Sequence, residues 1–421
     1  MSNPPAVRIR EPKREGQEVV FVIAEDSLPP EHPARLLWTA LGTFDLAGFS
    51  DENKAIQGTA GRRVYSARMM LTLWGYALYD GVFHARKIAR LIRDNLNYRW
   101  IVGDVLVERS AISAFLANHR HAMLDLLADV LALLMEAGLL FLPEQRLAQD
   151  GTRIEANASR GSFVKRRGLA ERREQAQLHL KAILAKMDDP ALSAREQAAR
   201  ERGAKAVLER IDAAKLVLDE IQKQRGESSN KKRQTTAPSA STSDPEARIM
   251  KLAGGGFAPA FNAQFATVGD PSGGPLTVVG VRVTNQGTDK GSIWVMREQI
   301  TGFTEATPVQ LVVDAEHLTL PDLRRAEAEH LDVISTIPDH WSPEGRDQDE
   351  VTRGWMERMG TQQAADTYRG RKALAERPNA IIKATMGMRK LPVRGLERVE
   401  GLMVIVAIMI NLHEHRRIWL N

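Results

Sequence analysis

The chain predicts an α/β protein with a mixed sheet in its C-terminal half, an all-helical N-terminal region and an inserted helical hairpin. Three observations carry this. Apolar residues recur at helical spacing from Ser66 to Ala137. Short strand-like runs begin at Leu140 and return at Ala260–Val268, at Leu276–Thr284 with β-branched alternation, at Val309–Asp314 and at Leu331–Ile337. Between the first of these and the rest lie residues 163–225, rich in Ala, Leu, Glu, Lys and Arg and of helical period.

At 421 residues the chain exceeds one ordinary core, so several domains are expected. Its 43% hydrophobic and 26% charged residues are those of a soluble globular protein. Cysteine is absent, which excludes disulfides, thiol catalysis and Cys-zinc sites and suits a reducing cytoplasm. The N-terminus lacks a signal-peptide apolar core. The longest apolar run, Leu402–Ile410, is too short to span a bilayer. No membrane partner is expected, and the location is cytoplasmic.

Residues 1–34 read as a flexible arm carrying Pro and charge. Residues 35–139 are predicted to form a helical domain. Its first helix shows Met70, Leu73, Trp74, Ala77 and Leu78 on one face and ends at Gly81. A second, about His84 to Asn95, sets Ile88, Leu91 and Ile92 against Arg86, Lys87, Arg90 and Arg93. Ser110 is a candidate N-cap for a third, and a fourth runs from His121 to Ala137, ended by Gly138. Short helices with a basic one among them suit a helix-turn-helix-like DNA reader; periodicity alone suits a dimerisation scaffold equally. His119 and His121 sit at a helix start, where a surface role is expected.

Residues 163–244 are predicted as an antiparallel helical hairpin broken near Asp189-Pro190, followed by a low-complexity linker from Gly226 to Asp244. Residues 160–235 hold 19 Lys and Arg against 11 Asp and Glu, a local charge of +8, while the remainder holds 39 and 42 and sums to −3. The whole positive excess therefore lies in one segment, which suits a phosphate backbone or simply a solvated hairpin. Residues 140–162 and 245–421 make the core. A turn at Gly269–Gly274 joins two of its strands. The Gly254–Gly256 stretch lacks the Gly-Lys-Ser/Thr ending of a phosphate loop, so ATP binding is not expected.

Three acids stand in recognisable frames: Asp150 in Gln149-Asp-Gly-Thr-Arg-Ile-Glu-Ala-Asn-Ala-Ser159, Asp314 closing Val309-Gln-Leu-Val-Val-Asp314, and Glu376 in Tyr368-Arg-Gly-Arg371-Lys-Ala-Leu-Ala-Glu376, seven residues before Lys383. Singly, an Asp after an apolar run is more often a turn or helix cap, and a helical Glu a solvated face. Together, converging carboxylates offer the oxygen ligands that hard cations want.

With Ser243-Asp-Pro-Glu-Ala-Arg248, Phe261-Asn-Ala-Gln264, Arg394-Gly-Leu-Glu-Arg-Val399 and Asn411-Leu412, these frames resemble the DDE transposases of bacterial insertion sequences, the insertion-sequence four superfamily. The likeness is to members with a helical N-terminal domain and an Asp-Gly-Thr first motif. It covers most of residues 35–415. It implies a ribonuclease-H-like core, with Asp150 ending the first strand, Asp314 ending the fourth and Glu376 on a helix. It implies that the three are catalytic and bind Mg²⁺ or Mn²⁺, and that Arg371 and Lys383 bind DNA phosphates. Two ions about 4 Å apart clamp an in-line displacement in such enzymes. The implied function is end binding, metal-dependent cleavage and strand transfer, with double-stranded transposon ends and target DNA as partners and a homodimer or higher multimer on the bacterial nucleoid. A non-catalytic DNA-binding protein derived from a transposase is the alternative.

The chain departs from the resemblance in two places. Glu316 and His317 stand where a Gly-Tyr pair is usual after the second Asp, and the stretch Pro338–Val351 is short and lacks a Cys-rich insert. Trp294 and Trp355 are candidates to stack on an extruded base, though more readily core. Asn262 and Gln264 are candidates for the floor of the site or for solvent.

Overall fold

The computed structural model describes residues 23–50, 64–142, 145–186, 193–227, 237–339, 341 and 349–419. The expected break at Asp189-Pro190, residues 1–22 of the arm and 228–236 of the linker, and most of 340–348 lie outside them.

The N-terminal helices are α1 (Pro33–Leu41), α2 (Ala67–Tyr79), α3 (Ala85–Asp94), α4 (Leu96–Val102), α5 (Arg109–Asn118) and α6 (Arg120–Glu136). Ser66 caps α2 by accepting from the Met69 amide, and the helix is apolar all round because Met69 to Leu78 are all buried. Ser110 is not the cap of α5; Glu108 holds that place, and Ser110 lies in the first turn. Within the expected arm, Leu28 and Ala34 are already buried.

The strands are β1 (Leu147–Glu155), β2 (Phe163–Val164), β3 (Ala240–Ser241), β4 (Arg248–Lys251), β5 (Phe257–Gly269), β6 (Leu276–Thr284), β7 (Gln310–Val312) and β8 (Asp332–Ile334). Six of them form one mixed sheet of order β4-β5-β1-β7-β8, with β6 also on β5. β5 runs antiparallel to both β1 and β6, whereas β1, β7 and β8 are parallel. Parallel neighbours need crossovers. These are supplied by α9 (Ser292–Thr304), ahead of β7, and α10 (Leu320–Ala328), between β7 and β8. A Thr319–Asp322 capping box starts α10.

The later helices are α11 (Glu350–Met359), α12 (Gln362–Arg369), α13 (Arg371–Ala375), α14 (Arg377–Ala380), α15 (Leu396–Glu414) and α16 (Arg416–Trp419), with a π-helical turn at Ile381–Thr385. α15 holds the molecule together. It is buried from Val399 to Leu412 and packs on α2, α5, α6 and β6, so one hydrophobic core runs through helices and sheet alike. A Cβ at Gly401 would overlap the Leu116 carbonyl oxygen, so only glycine lets α15 and α5 approach this closely. Asn411 of α15 pairs with the Val278 backbone like a strand, donating to its carbonyl at 2.9 Å and accepting from its amide at 2.7 Å. Gln299 accepts from the Val281 amide at 2.9 Å. The outer edge of β6 is thereby satisfied rather than left open. No described helix is long and apolar enough to cross a membrane.

The start of α15 explains two sequence motifs. Its first amides, on Gly395 and Leu396, donate to Asp244 Oδ1 at 3.3 Å and Glu246 Oε2 at 2.8 Å. Carboxylates at a helix N-terminus satisfy orphan donors and meet the positive end of the dipole. The Ser243–Arg248 and Arg394–Val399 frames therefore meet as a structural joint.

The hairpin is α7 (Arg166–Leu184) against α8 (Ala194–Gly226), with its own small core of Leu169, Ile211, Ala214, Leu218 and Ala240. The β2–β3 pair ties it to the body, and Ser241 and Asp244, inside the expected linker, are buried. Part of the basic excess is matched locally: Arg173 pairs with Asp212 at 2.6 Å and Arg166 with Asp219.

Candidate active site

Register decides which acids meet. β1 and β7 pair in parallel with Leu147 opposite Leu311 and Ala148 opposite Val312. Side chains two residues on return to the same face. Asp150 and Asp314 are each two residues beyond the last pair, so they stand level and project to one side of the sheet. Asp150 does not end its strand, because β5 pairs with β1 along its whole length, up to Glu155. Only β7 stops here. Asp314 then caps the short 3₁₀ turn Ala315–His317, accepting from the Glu316 amide at 3.0 Å. That is the cap role an Asp after an apolar run ordinarily has, and it still leaves Oδ2 facing Asp150's neighbourhood.

Arg371 bridges the pair. Its Nη2 donates to Asp150 Oδ1 at 3.1 Å and to Asp314 Oδ2 at 3.2 Å, and the side chain is almost wholly buried. The array thus delivers Arg371 neither to Glu376 nor to Asp366 but onto the two aspartates. Asn379 Nδ2 donates to Asp150 Oδ2 at 3.1 Å. Lys383 Nζ donates to Thr152 Oγ1, on the same face of β1. On the other side His317 Nδ1 donates to Asp314 Oδ1 at 2.7 Å, and its Nε2 lies 3.4 Å from Gln264 Oε1. Gln264 in turn donates to Asp289, which also accepts from Asn262 at 2.6 Å and from Arg153 at 3.1 Å. Asn262 and Gln264 are therefore buried framework, not solvent-facing. A Cβ on Gly151 would collide with Gln264 Nε2 and Asp289 Oδ1, so the Gly after Asp150 makes room for this network.

The two carboxyls are tuned apart. Burial pushes Asp150 up to about 6, with Asp314's charge adding and Arg371 pulling the other way. Burial also works on Asp314, but the His317 hydrogen bond, the nearby positive charges and the Glu316 amide outweigh it and hold the group below its usual range. Burial lowers Lys383, partly offset by Asp150. Titratable groups driven apart in this way are a mark of functional sites.

The other acid does not join them. Glu376 sits at the junction of α13 and α14, in a helical conformation and exposed to solvent. Among the described residues no group of three His, Cys, Asp or Glu side chains is placed to hold a metal ion. The rival acids stand elsewhere: Glu357 and Glu397 are exposed, and Glu400 pairs with Arg120 at 2.6 Å. Trp294 and Trp355 are buried, donating to Asp322 at 2.9 Å and to the Val333 carbonyl at 2.7 Å, so neither is a stacking platform. His119 packs on Phe49 and Phe115. The basic residues of α3, Arg86, Lys87, Arg90 and Arg93, are all exposed, over Ile88 and Ile92, which are buried.

Residues 22–118 match the model of a family described as Transposase domain (DUF772). The match supports a transposase. It covers α1 to α5 and ends before Asp150, so it bears on the helical N-terminal part of the chain and its basic helix rather than on the acids. No curated protein and no solved structure matches the chain. Sequence reasoning misses two members of the candidate site, His317 and Asn379. In the sequence His317 stands out only as a departure from the expected Gly-Tyr. Asn379 had no signal beyond lying one helical turn after Glu376.

Proposed function

We propose that this chain is a DDE-type transposase that binds the ends of an insertion sequence, cuts them and joins the freed 3′-hydroxyls to target DNA. The observation that carries the reading is the level placement of Asp150 and Asp314 on one face of neighbouring parallel strands. The strand order supports it: an antiparallel β1–β5–β6 set with β7 and β8 added in parallel on the far side of β1 is compatible with a ribonuclease-H-like core.

The donors at hand suit a hard divalent cation. Two carboxylates share one face, and beside them the amide oxygen of Asn379 is buried without a hydrogen bond. Asp150 and Asp314 would hold Mg²⁺ or Mn²⁺, with Glu376 as the acid from the helical side. A bound cation supplies Lewis acidity and a lowered pKa for an attacking water or 3′-hydroxyl. The chain's own groups do the rest. Arg371 presents a planar fork suited to two phosphate oxygens, and Lys383 adds a point charge beside Thr152, the next residue on that face of β1. While Arg371 bridges the aspartates, it offsets the repulsion between them. His317 fixes the orientation of Asp314, leaving Oδ2 toward the site. On α3, Arg86, Lys87, Arg90 and Arg93 would hold the DNA backbone.

A second reading, a DNA-binding protein without catalysis, is favoured by one observation, the exposed position of Glu376 away from the aspartate pair. Incubating the purified chain with a DNA duplex carrying the element's own ends and Mg²⁺ separates the two. Cleavage that is lost in Asp150→Asn and Asp314→Asn supports the enzyme; binding without cleavage under all metal conditions supports the alternative.

A further inference from the structure

We propose that Asn379 is a neutral oxygen donor to the divalent cation held by Asp150 and Asp314, an inference that rests on the metal-dependent reading above. Three observations lead there. Its Nδ2 lies 3.1 Å from Asp150 Oδ2. Its Oδ1 is buried and makes no hydrogen bond. Its backbone is set by a short helix with Pro378 in the first turn, followed directly by the π-helical turn Ile381–Thr385. Proline there pre-sets the helical start, and a π turn shifts the register of the side chains that follow, commonly at functional sites. The result is that Asn379 and Lys383, four residues apart, both face β1, on Asp150 and Thr152, while Glu376 is turned to solvent.

The chemistry of the amide makes the orphan oxygen informative. Buried polar atoms are nearly always satisfied, and an exception calls for an explanation such as an ion. The terminal torsion of Asn is broad and two-fold, and turning it over exchanges Nδ2 and Oδ1. That turn breaks only the bond to Asp150, since Oδ1 has none to lose. With no cation, the N–H side meets the carboxylate. With one bound, an oxygen pointing at a carboxylate oxygen is repelled unless the cation stands between them, and Oδ1 then becomes a ligand. Amide carbonyls are ordinary ligands of hard cations.

The test is Mn²⁺ binding to the full chain without DNA, read by calorimetry or by the Mn²⁺ spin-resonance signal, so that cutting is not the readout. Wild type, Asn379→Ala, Asn379→Asp, Glu376→Gln and Asp150→Asn are compared, with each variant's melting temperature in EDTA as the folding control. Asn379→Ala should weaken Mn²⁺ by about tenfold or more, and Asn379→Asp should restore or tighten it. Should the Ala variant not fold, the near-isosteric Asn379→Leu should show the same loss. Unchanged affinity in Asn379→Ala, alongside weakened binding in Asp150→Asn, overturns the Asn379 assignment alone. A wild type that binds no Mn²⁺, or an Asp150→Asn that binds it as well, overturns the metal reading and this inference with it.

Discussion

His317 stands with Nδ1 2.7 Å from Asp314 Oδ1, and its ring is fully buried. A carboxylate can only accept, so Nδ1 carries the proton. The departure from the expected Gly-Tyr pair is therefore a residue that grips the second aspartate from behind and links it, through Gln264, to Asp289. Replacing His317 by Ala should cost about 2–4 kcal/mol, from the cavity and the groups left unpaired. It should also let burial push the Asp314 carboxyl up. Urea unfolding of the two proteins measures the first effect; a midpoint equal to wild type would show that the ring does not support this end of the sheet.

Divalent cations should raise the melting temperature of the wild type by binding the folded state alone. Asp150 and Asp314 are partly buried anions, and a cation offsets both burial and mutual repulsion. The increase with Mg²⁺ or Mn²⁺ should shrink in Asp150→Asn, and cutting should stop in EDTA. Cleavage of the element's ends that survives EDTA would remove the metal from the reaction.

The four exposed cations of α3 should set end binding. Replacing Arg86, Lys87, Arg90 and Arg93 by Ala should weaken binding and flatten its salt dependence by about 0.9 in the log–log slope for each DNA phosphate no longer neutralised. The outcome is read from gel-shift titrations at several salt concentrations. An unchanged slope would move the DNA surface elsewhere, the hairpin being the next place to look.

Glu376 is the acid most in need of a direct test. Glu376→Gln keeps the shape and loses the charge, so it should abolish cleavage as Asp150→Asn and Asp314→Asn do, with DNA binding intact. Glu397→Gln, at an exposed position, should cut normally. Glu400→Gln should lower stability by about 1 kcal/mol, because it removes the carboxylate charge opposite the half-buried Arg120. Near wild-type cutting by Glu376→Gln would show that this exposed carboxylate stays outside the reaction.

Asp244 should give the fold a pH dependence of its own. Chiefly through burial, with Glu246's charge adding and the Gly395 amide opposing, its carboxyl is pushed from 3.8 up to about 6. A raised acid is stabilising when protonated, so the contribution is full below 3.8 and is lost as pH rises through 6. The shift is worth up to about 3 kcal/mol. Asp244→Asn cannot ionise, so its stability relative to wild type should increase between about pH 4 and pH 7.5. Equal differences at both pH values would show that Asp244 keeps an ordinary midpoint.

Elements whose signals are local can be read from the amino acids alone. The helical period of Ser66–Leu78 and the Ser66 cap give α2, the apolar run of β5 and the β-branched run of β6 give a hairpin around a Gly-rich turn, and the apolar stretch after Leu396 gives α15. The sequence also marked Asp150 and Asp314, because each sits in a short frame that resembles a transposase motif. What it left open depends on how distant segments meet. Whether Asp150 and Asp314 stand level is set by the β1–β7 register, which joins segments far apart in the chain. Where Arg371 points is set by how α13 packs on the sheet, and it reaches two aspartates that no helical spacing relates to it. Asn379 and Lys383 reach β1, and Glu376 does not, because the helix drawn through them from sequence breaks at Glu376 and loosens into a π turn after Ala380. Periodicity assumes one unbroken helix, and a change of register within it is decided only when tertiary packing chooses which face is buried.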